Sequence, residues 1–216
     1  GGPAYRCAVG EKGLGERALG ITASSETYPE RERQEADALA RRIGGRHRLI
    51  VSEELDIPGF SENPTNRCYF CKTELYDHLV LLAQREGLAV VVDGTNLDDA
   101  SDHRPGRQAA REHGVRSPLL EAGLRKAEVR ELSRRFGLDT WDKPESPCLA
   151  SRIPYGQRVD EPKLRQIENA ERCLKEAGIR GGRVRHHGEI ARIELPEADM
   201  SRVHDDAVRA KLVAGI

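Results

Sequence analysis

Arg17-Ala-Leu-Gly-Ile-Thr-Ala23 is a short apolar run that reads as a buried strand, and Pro29 then stands where the first turn of a helix would fall. Ala36, Leu39, Ala40 and Ile43 recur at helical spacing, and Gly44-Gly45 supplies the stop. Leu49-Ile-Val51 predicts the next strand. Leu75, Leu79 and Leu82 mark a second helix ending at Gly87, after which Leu88-Ala-Val-Val-Val92 is the most strand-like run in the chain, closed by Asp93-Gly94. A helix is expected after Pro105, a short strand near Val115 to Leu120, and a further helix from Val129, Leu132 and Phe136, stopped by Gly137. Strand and helix alternate, so the predicted class is α/β, a parallel sheet with helices on both faces. In such sheets ligands sit beyond the carboxyl ends of the strands, where Ser24, Ser25 and Asp93 fall.

From Trp141 the character changes. Asp142-Lys-Pro144, Pro147, Pro154 and Gly156 crowd a stretch that cannot be regular helix, which places a domain boundary between residues 145 and 146. Beyond it Asp160 reads as a helix N-cap, and Leu164, Ile167, Ala170, Cys173 and Leu174 form an amphipathic face. Arg183 to His187 and Glu189 to Leu195 predict two strands around Gly188, with Ile190, Arg192 and Glu194 on one face. Met200, Val203, Ala207 and Leu212 suggest a last helix. Residues 146–216 thus read as a small α+β domain appended to the α/β domain of residues 1–145.

Composition narrows the function. Hydrophobic residues make up 38% and charged residues 33%, no apolar run nears the roughly 20 residues that span a bilayer, and no targeting segment is evident, so a cytoplasmic protein is expected. Lys plus Arg number 35 against 36 for Asp plus Glu, so no global field draws the chain to nucleic acid or anionic lipid, and any anion site must be local.

The five cysteines in such a setting point to metal or catalysis wherever they cluster. Cys68-Tyr-Phe-Cys71 sits at a helix start, where free backbone N–H groups favour thiolates. A redox pair is the plain alternative, although here a loop with Pro64 and Asn66 comes first rather than a strand. A third thiol, Cys148, lies in Ser146-Pro-Cys-Leu-Ala-Ser-Arg152. Three such thiols suit either zinc, with a fourth ligand, or three irons of a 4Fe-4S cluster with the fourth iron open. Cys173 reads as core, and Cys7 has no reading. Arg183 and Arg185 share one strand face, with Arg180 nearby. That pattern reads either as a solvated face or as a phosphate site, since paired guanidiniums bind phosphate bidentately.

The strings Asn63-Pro-Thr-Asn-Arg-Cys-Tyr-Phe-Cys-Lys-Thr-Glu-Leu-Tyr76, Asp93-Gly-Thr-Asn96, Asp102-His-Arg-Pro-Gly106, Lys143-Pro-Glu-Ser-Pro-Cys-Leu-Ala-Ser-Arg-Ile-Pro-Tyr-Gly156 and Ile190-Ala-Arg-Ile-Glu-Leu-Pro-Glu197 resemble, in order and spacing, those of the LarE family. The resemblance implies a PP-loop (adenine nucleotide alpha hydrolase-like) domain and a small substrate and oligomerisation domain. The implied activity is ATP-dependent sulfur transfer to the carboxylates of pyridinium-3,5-dicarboxylate mononucleotide through an acyl adenylate, in nickel-pincer nucleotide cofactor biosynthesis. ATP and Mg2+ are implied at Gly1, Gly2, Ala23, Ser24, Ser25, Asp93 and Gly94. A 4Fe-4S cluster is implied on Cys68, Cys71 and Cys148, and the substrate on Ser151, Arg152, Glu171, Arg183, Arg185 and Glu194. A homo-oligomer is implied too. The two glutamates are read equally well as ion-pair partners of Arg183 or Arg192. One departure stands out: the family's Ser-Gly-Gly-x-Asp-Ser loop is matched only by Gly1-Gly2-Pro3-Ala4, so the two glycines are read as its remnant. The strand expected to close the small domain falls past Ile216. Two rival readings remain, a cluster-bearing PP-loop enzyme that thiolates transfer RNA and a zinc-stabilised binding module without catalysis.

Overall fold

The structure, a computed structural model, describes residues 2–101, 105–144, 146–179 and 181–216. Gly1, Asp102, His103, Arg104, Glu145 and Arg180, used in the sequence reading, lie outside the described residues. The chain divides into two compact units: Gly1–Ser25, Glu30–Glu53 and Asn66–Lys143 form one, and Glu26–Pro29, Glu54–Thr65 and Pro144–Ile216 the other.

The first unit runs α1 (Gly2–Leu14), β1 (Leu19–Ser24), α2 (Glu30–Ile43), β2 (Arg46–Val51), α3 (Arg67–Arg85), α4 (Pro105–Glu112), the single turn α5 (Pro118–Glu121) and α6 (Lys126–Arg135). Helix α1 is not foreseen by the apolar pattern. It is held by small residues: Ala4 and Ala8, one turn apart, are buried with Leu138, and Tyr5, Leu39, Ile43 and Phe136 pack around them. Tyr5 meets Phe136 edge to face at 5.3 Å. Strands β1 and β2 pair in parallel from Leu19 opposite Arg46 to Ser24 opposite Val51, as the strand–helix–strand reading requires. Ser52 N–H then donates to Ser24 O at 2.9 Å, carrying the ladder past the strand end.

Two expected strands are corrected. Within Leu88 to Val92 only Val92 forms a bridge, in parallel with Arg116, flanked by Arg116 N to Val91 O at 3.0 Å and Asp93 N to Arg116 O at 2.9 Å. The reason lies in the partner. Pro118, which cannot donate to a ladder and whose φ suits a first helical turn, converts the expected strand at Val115 to Leu120 into α5. Arg116 is left alone to pair with Val92, and Val90 and Val92 stay exposed. Among the described residues the parallel sheet therefore holds two strands.

Helices α3 and α4 pack through Tyr76, Ala109, Ala110 and Val115. Gly106 permits the approach: a Cβ there would stand 2.9 Å from Lys72 Cγ and 3.3 Å from the Cys68 carbonyl. Tyr69 OH donates to Glu112 at 2.7 Å across the same interface.

The second unit contains α7 (Glu161–Glu176), β3 (Arg183–His187), β4 (Ile190–Glu194) and α8 (Asp206–Gly215). Asp160 caps α7 by accepting from Lys163 N at 3.0 Å. Ala170, Leu174, Ile179, Val184 and Leu212 form its core, with Cys173 packed against them as read. Strands β3 and β4 are antiparallel about Gly188, whose φ of 68° fits the tight turn. The single last helix expected from Met200 is instead a 3-10 stretch, Glu197–His204, followed by α8. The break falls at Asp205, whose carboxylate takes the amides of Ala207 and Val208.

The earlier segments join this unit by hydrogen bonds. Leu149 N donates to Thr27 O at 2.8 Å, Val159 N to Ser61 O at 2.8 Å and Gly156 N to Asn63 O at 2.9 Å. Thr27 Oγ1 also donates to Glu54. Asn63, fully buried and at φ 57°, returns its side-chain amide to the carbonyls of Ile153 at 3.2 Å and Pro154 at 2.8 Å. Asn tolerates the left-handed region better than other residues with a Cβ, which explains its place there.

Candidate functional site

A cavity of about 250 Å³ opens in the second unit, walled by Ser151, Arg152, Ile153, Pro154, Tyr155, Arg185, His187 and Arg192. Its floor is the 3-10 turn Leu149–Arg152, which follows Cys148 directly. The Cys148 carbonyl accepts from Ser151 N at 3.0 Å, Ser151 Oγ at 2.8 Å and Arg152 Nη1 at 3.2 Å. This fixes the backbone on which the thiol sits.

Arg152 is only 3% exposed, and each nitrogen of its guanidinium is hydrogen-bonded. Nε and Nη2 meet the two Glu171 oxygens at 2.7 and 3.1 Å, and Nη1 reaches Pro147 O and Ser151 Oγ at 2.9 Å each. Glu171 Oε1 further accepts from Val184 N at 3.2 Å, so one buried ion pair ties α7, β3 and the turn together. The expected partner of Glu171, Arg183 or Arg192, is thus corrected to Arg152. Burial decides this: a nearly solvent-free guanidinium beside the turn demands a carboxylate.

The opposite wall comes from the two strands. Arg185 and Arg192 stand directly opposite each other in the register, a like-charge pair that costs stability unless a carboxylate intervenes. Glu194 Oε1 does so, accepting from Arg185 Nε at 2.6 Å and Arg192 Nη2 at 2.7 Å. The Arg185 hydrogen bond, joined by that of Arg192 and opposed by burial, pushes the Glu194 carboxyl down to about 2. Arg185 also donates from Nη1 to Ser151 O at 3.1 Å. Arg183, half-buried two residues before Arg185, is not among the cavity walls. Tyr155, His187 and Arg192, with Ile153 and Pro154, are walls that the sequence reading did not assign to a site. The signal for two of them was present: His187 continues the two-residue period of Arg183 and Arg185, and Arg192 shares its face with Glu194.

In the first unit, Ala23 and Ser24 end β1, and Ser25 follows. Asp93 and Gly94 follow the Val92 bridge. The Asp93 carboxylate accepts from Ser117 Oγ at 2.7 Å, Thr95 Oγ1 at 2.9 Å and Thr95 N at 3.1 Å, so it shapes its own turn. Gly2 is the first residue of α1. Cys68 and Cys71 lie in the first turns of α3, with Cys68 exposed and Cys71 half-buried, its Sγ 3.6 Å from Cys68 O. Cys148, half-buried, belongs to the second unit. Among the described residues no three His, Cys, Asp or Glu side chains gather into a group that could hold a metal ion. No described helix is long and apolar enough to cross a membrane.

No protein-family profile matches the chain. An uncharacterized protein of Synechocystis sp. is 45% identical over 200 residues, covering 93% of this chain and 75% of that protein. The pyridinium-3,5-bisthiocarboxylic acid mononucleotide synthase of Lactiplantibacillus plantarum is 36% identical over 194 residues, covering 89% of this chain and 70% of the synthase. A probable tRNA sulfurtransferase of Methanothermobacter thermautotrophicus is 28% identical over 110 residues, 49% of this chain but 27% of that protein. With identity of this level spread over most of both sequences, the chain belongs to the LarE family, that of the Lactiplantibacillus synthase.

Proposed function

We propose that the chain is an ATP-dependent sulfur transferase that converts carboxylates of pyridinium-3,5-dicarboxylate mononucleotide to thiocarboxylates, in the cytoplasm, as a step of nickel-pincer nucleotide biosynthesis. The observation that carries this reading is the cationic cavity of the second unit, whose arginine wall suits a phosphate monoester and whose floor adjoins Cys148. In this reading residues 1–145 are a PP-loop ATP domain, with Mg2+ and ATP at Gly1, Gly2, Ala23, Ser24, Ser25, Asp93 and Gly94. Residues 146–216 bind substrate and form the homo-oligomer. Gly2 at the start of a thirteen-residue helix supports the phosphate assignment, because helix N-termini offer unpaired N–H groups to anions.

The chemistry divides into two steps. A substrate carboxylate oxygen attacks the α-phosphorus of ATP, pyrophosphate leaves, and an acyl adenylate forms. A sulfide, HS−, then adds to the carbonyl carbon, AMP departs with the electron pair of the broken C–O bond, and the thiocarboxylic acid gives up its proton. Ser151 and Arg185 hold the substrate phosphate from the cavity wall and Arg183 adds its charge from beside it, Glu194 orients Arg185, and the Arg152–Glu171 pair keeps the turn rigid beneath Cys148. Cys68, Cys71 and Cys148 would hold a 4Fe-4S cluster, which supplies a renewable sulfide when bound.

The test is Cys148→Ser, prepared anaerobically beside the parent protein, with iron and acid-labile sulfide counted in both. Pyrophosphate release is expected to persist and thiocarboxylate formation to vanish, since serine is a poor sulfur surrogate and a poor iron ligand near neutral pH. Thiocarboxylate made at the parental rate would end the assignment of Cys148. Loss of pyrophosphate release as well would make the residue structural. About four irons and four sulfides per parent chain support the cluster; stoichiometric zinc instead favours the zinc reading. The Methanothermobacter match favours one second reading, thiolation of transfer RNA. The near balance of 35 basic and 36 acidic residues weighs against it, and retention of bulk transfer RNA on a filter would reverse that weight.

A further inference from the structure

In the stretch that runs from the cavity floor to α7, Leu149, Ala150, Ile153 and Val159 are buried, whereas Tyr155 is 62% exposed. Exposure alone is ordinary for a tyrosine. The backbone beneath this one is not. Gln157 N donates to Pro154 O at 3.1 Å, and Gly156 between them stands at φ 78°, while Tyr155 keeps a negative φ. That is a type II turn with Tyr155 at its second position, and glycine supplies the positive φ that the third position requires. The turn is also pinned from outside. Pro154 O accepts from Asn63 Nδ2 at 2.8 Å, and Gly156 N donates to Asn63 O at 2.9 Å. A fixed backbone thus holds an aromatic ring out of the core and on the cavity wall, with few side-chain torsions left to freeze when a ligand arrives.

The rest of the wall determines what that ring is for. Glu171 offsets Arg152, whereas Arg185 and Arg192 share Glu194, so the polar side of the cavity is net positive. Such a wall attracts a phosphate and repels a cation. The mononucleotide read for this site carries both, a phosphate at one end and a positively charged pyridinium ring at the other. Ile153 and Pro154 can cover the ring but offer nothing to its charge. The face of a phenol does, because the negative part of its quadrupole lies above the ring plane. Among the described residues of the wall, Tyr155 alone carries a benzene ring. We propose that Tyr155 binds the pyridinium by stacking its face on that ring, so that the site selects a cationic aromatic ring over a neutral one. This deepens the substrate reading above and rests on it. With the phosphate kept by Ser151 and Arg185, the two contacts are of opposite electrostatic sense and fix the direction in which the nucleotide lies. The reversed placement would set pyridinium against guanidinium.

The experiment titrates the parent protein, Tyr155→Phe, Tyr155→Leu and Tyr155→Trp by calorimetry with two ligands. One is pyridinium-3,5-dicarboxylate mononucleotide. The other is the same molecule with a benzene ring in place of the pyridinium, which keeps the phosphate, the ribose and both carboxylates and lacks only the ring charge. Tyr155→Leu is expected to weaken the first ligand about three- to thirtyfold, the range of a cation–π contact, and the second by clearly less. Tyr155→Phe should stay near the parent with both, since the ring face makes the contact rather than the hydroxyl. Tyr155→Trp should bind the pyridinium ligand at least as well and give a charge-transfer absorption band, to the red of either chromophore alone, that the benzene ligand does not produce. Because Tyr155 is exposed, every variant should melt as the parent does, which separates a contact from a folding defect. Parental affinity in Tyr155→Leu, equal weakening of both ligands, or pyridinium binding by Tyr155→Trp without the band overturns the stacking and leaves the substrate reading in place. A parent protein that binds neither mononucleotide overturns the substrate reading, and the proposal falls with it.

Discussion

Arg152 and Glu171 show how one buried pair organises the loop on which the chemistry is proposed to sit. The guanidinium is nearly closed to solvent and hydrogen-bonded through all three nitrogens, so the pair is a frame for the turn before it is anything else. Its removal should be felt as stability. Glu171→Ala leaves a buried cation without its carboxylate and exposes the Val184 amide to a vacant partner, which is expected to cost about 3–5 kcal/mol in urea unfolding. Glu194→Ala, at a carboxylate 36% exposed, should cost at most about 1 kcal/mol, since its two arginines can turn to water. Equal and small losses in the two variants would show that Arg152 is not held as described. For the same reason, weak substrate binding by Glu171→Ala would not by itself make Glu171 a ligand contact.

Among the elements, α3 and α4 carry a titratable clamp. His113 Nδ1 lies 2.7 Å from the Ala109 carbonyl and Nε2 lies 3.0 Å from Asp77 Oδ1, so the doubly protonated ring can donate to both. The backbone hydrogen bond, with Asp77 adding to it and burial opposing it, raises the His113 pKa above the ordinary 6.5. A raised folded pKa means that protons bind the folded state more tightly. Its stabilisation is full below the ordinary imidazole value and is lost as pH rises through the folded one. Melting of the parent is therefore expected to weaken across that interval relative to His113→Gln, whose profile there should be flatter. Parallel profiles would show that the ring is neutral in the clamp.

Legibility also differs by element. The strand–helix–strand start, the cap at Asp160 and the Gly188 hairpin were readable because each has a local cause in propensity, capping or turn chemistry. Helix α1 was not, because Ala4 and Ala8 bury well only once Leu138, distant in sequence, is in place. The run Leu88 to Val92 has strand composition but lacks a partner strand, and pairing is not a local property. The cavity shows the same limit: the arginine period was legible, whereas Tyr155 lies in an aperiodic loop and became a wall only through the fold of the turn.

At the scale of the whole chain, the second unit is discontinuous. Its core of Ala170, Leu174, Ile179, Val184 and Leu212 lies entirely after residue 146, but the cavity floor does not stand on that core alone. Leu149, Gly156 and Val159 donate their amides to Thr27, Asn63 and Ser61, and the buried Asn63 amide binds the carbonyls of Ile153 and Pro154. A fragment of residues 146–216 should therefore split in behaviour. Amides of α7 and β3 should stay protected from hydrogen exchange, since their apolar partners are present. Those of Leu149, Gly156 and Val159 should exchange freely, since each loses its acceptor. With them the turn from Ser151 to Tyr155 loses its fixed shape, and the fragment should fail to broaden the phosphorus signal of inorganic phosphate even though Arg185 and Arg192 remain opposed on a folded hairpin. In the full chain Asn63→Ala tests the same point without cutting it, removing two hydrogen bonds and placing alanine at a positive φ, at a cost of about 2–4 kcal/mol. Protection at Leu149, Gly156 and Val159 as strong in the fragment as in the full chain would mean that residues 146–216 build the cavity unaided, and that the segments 26–29 and 54–65 merely rest on it.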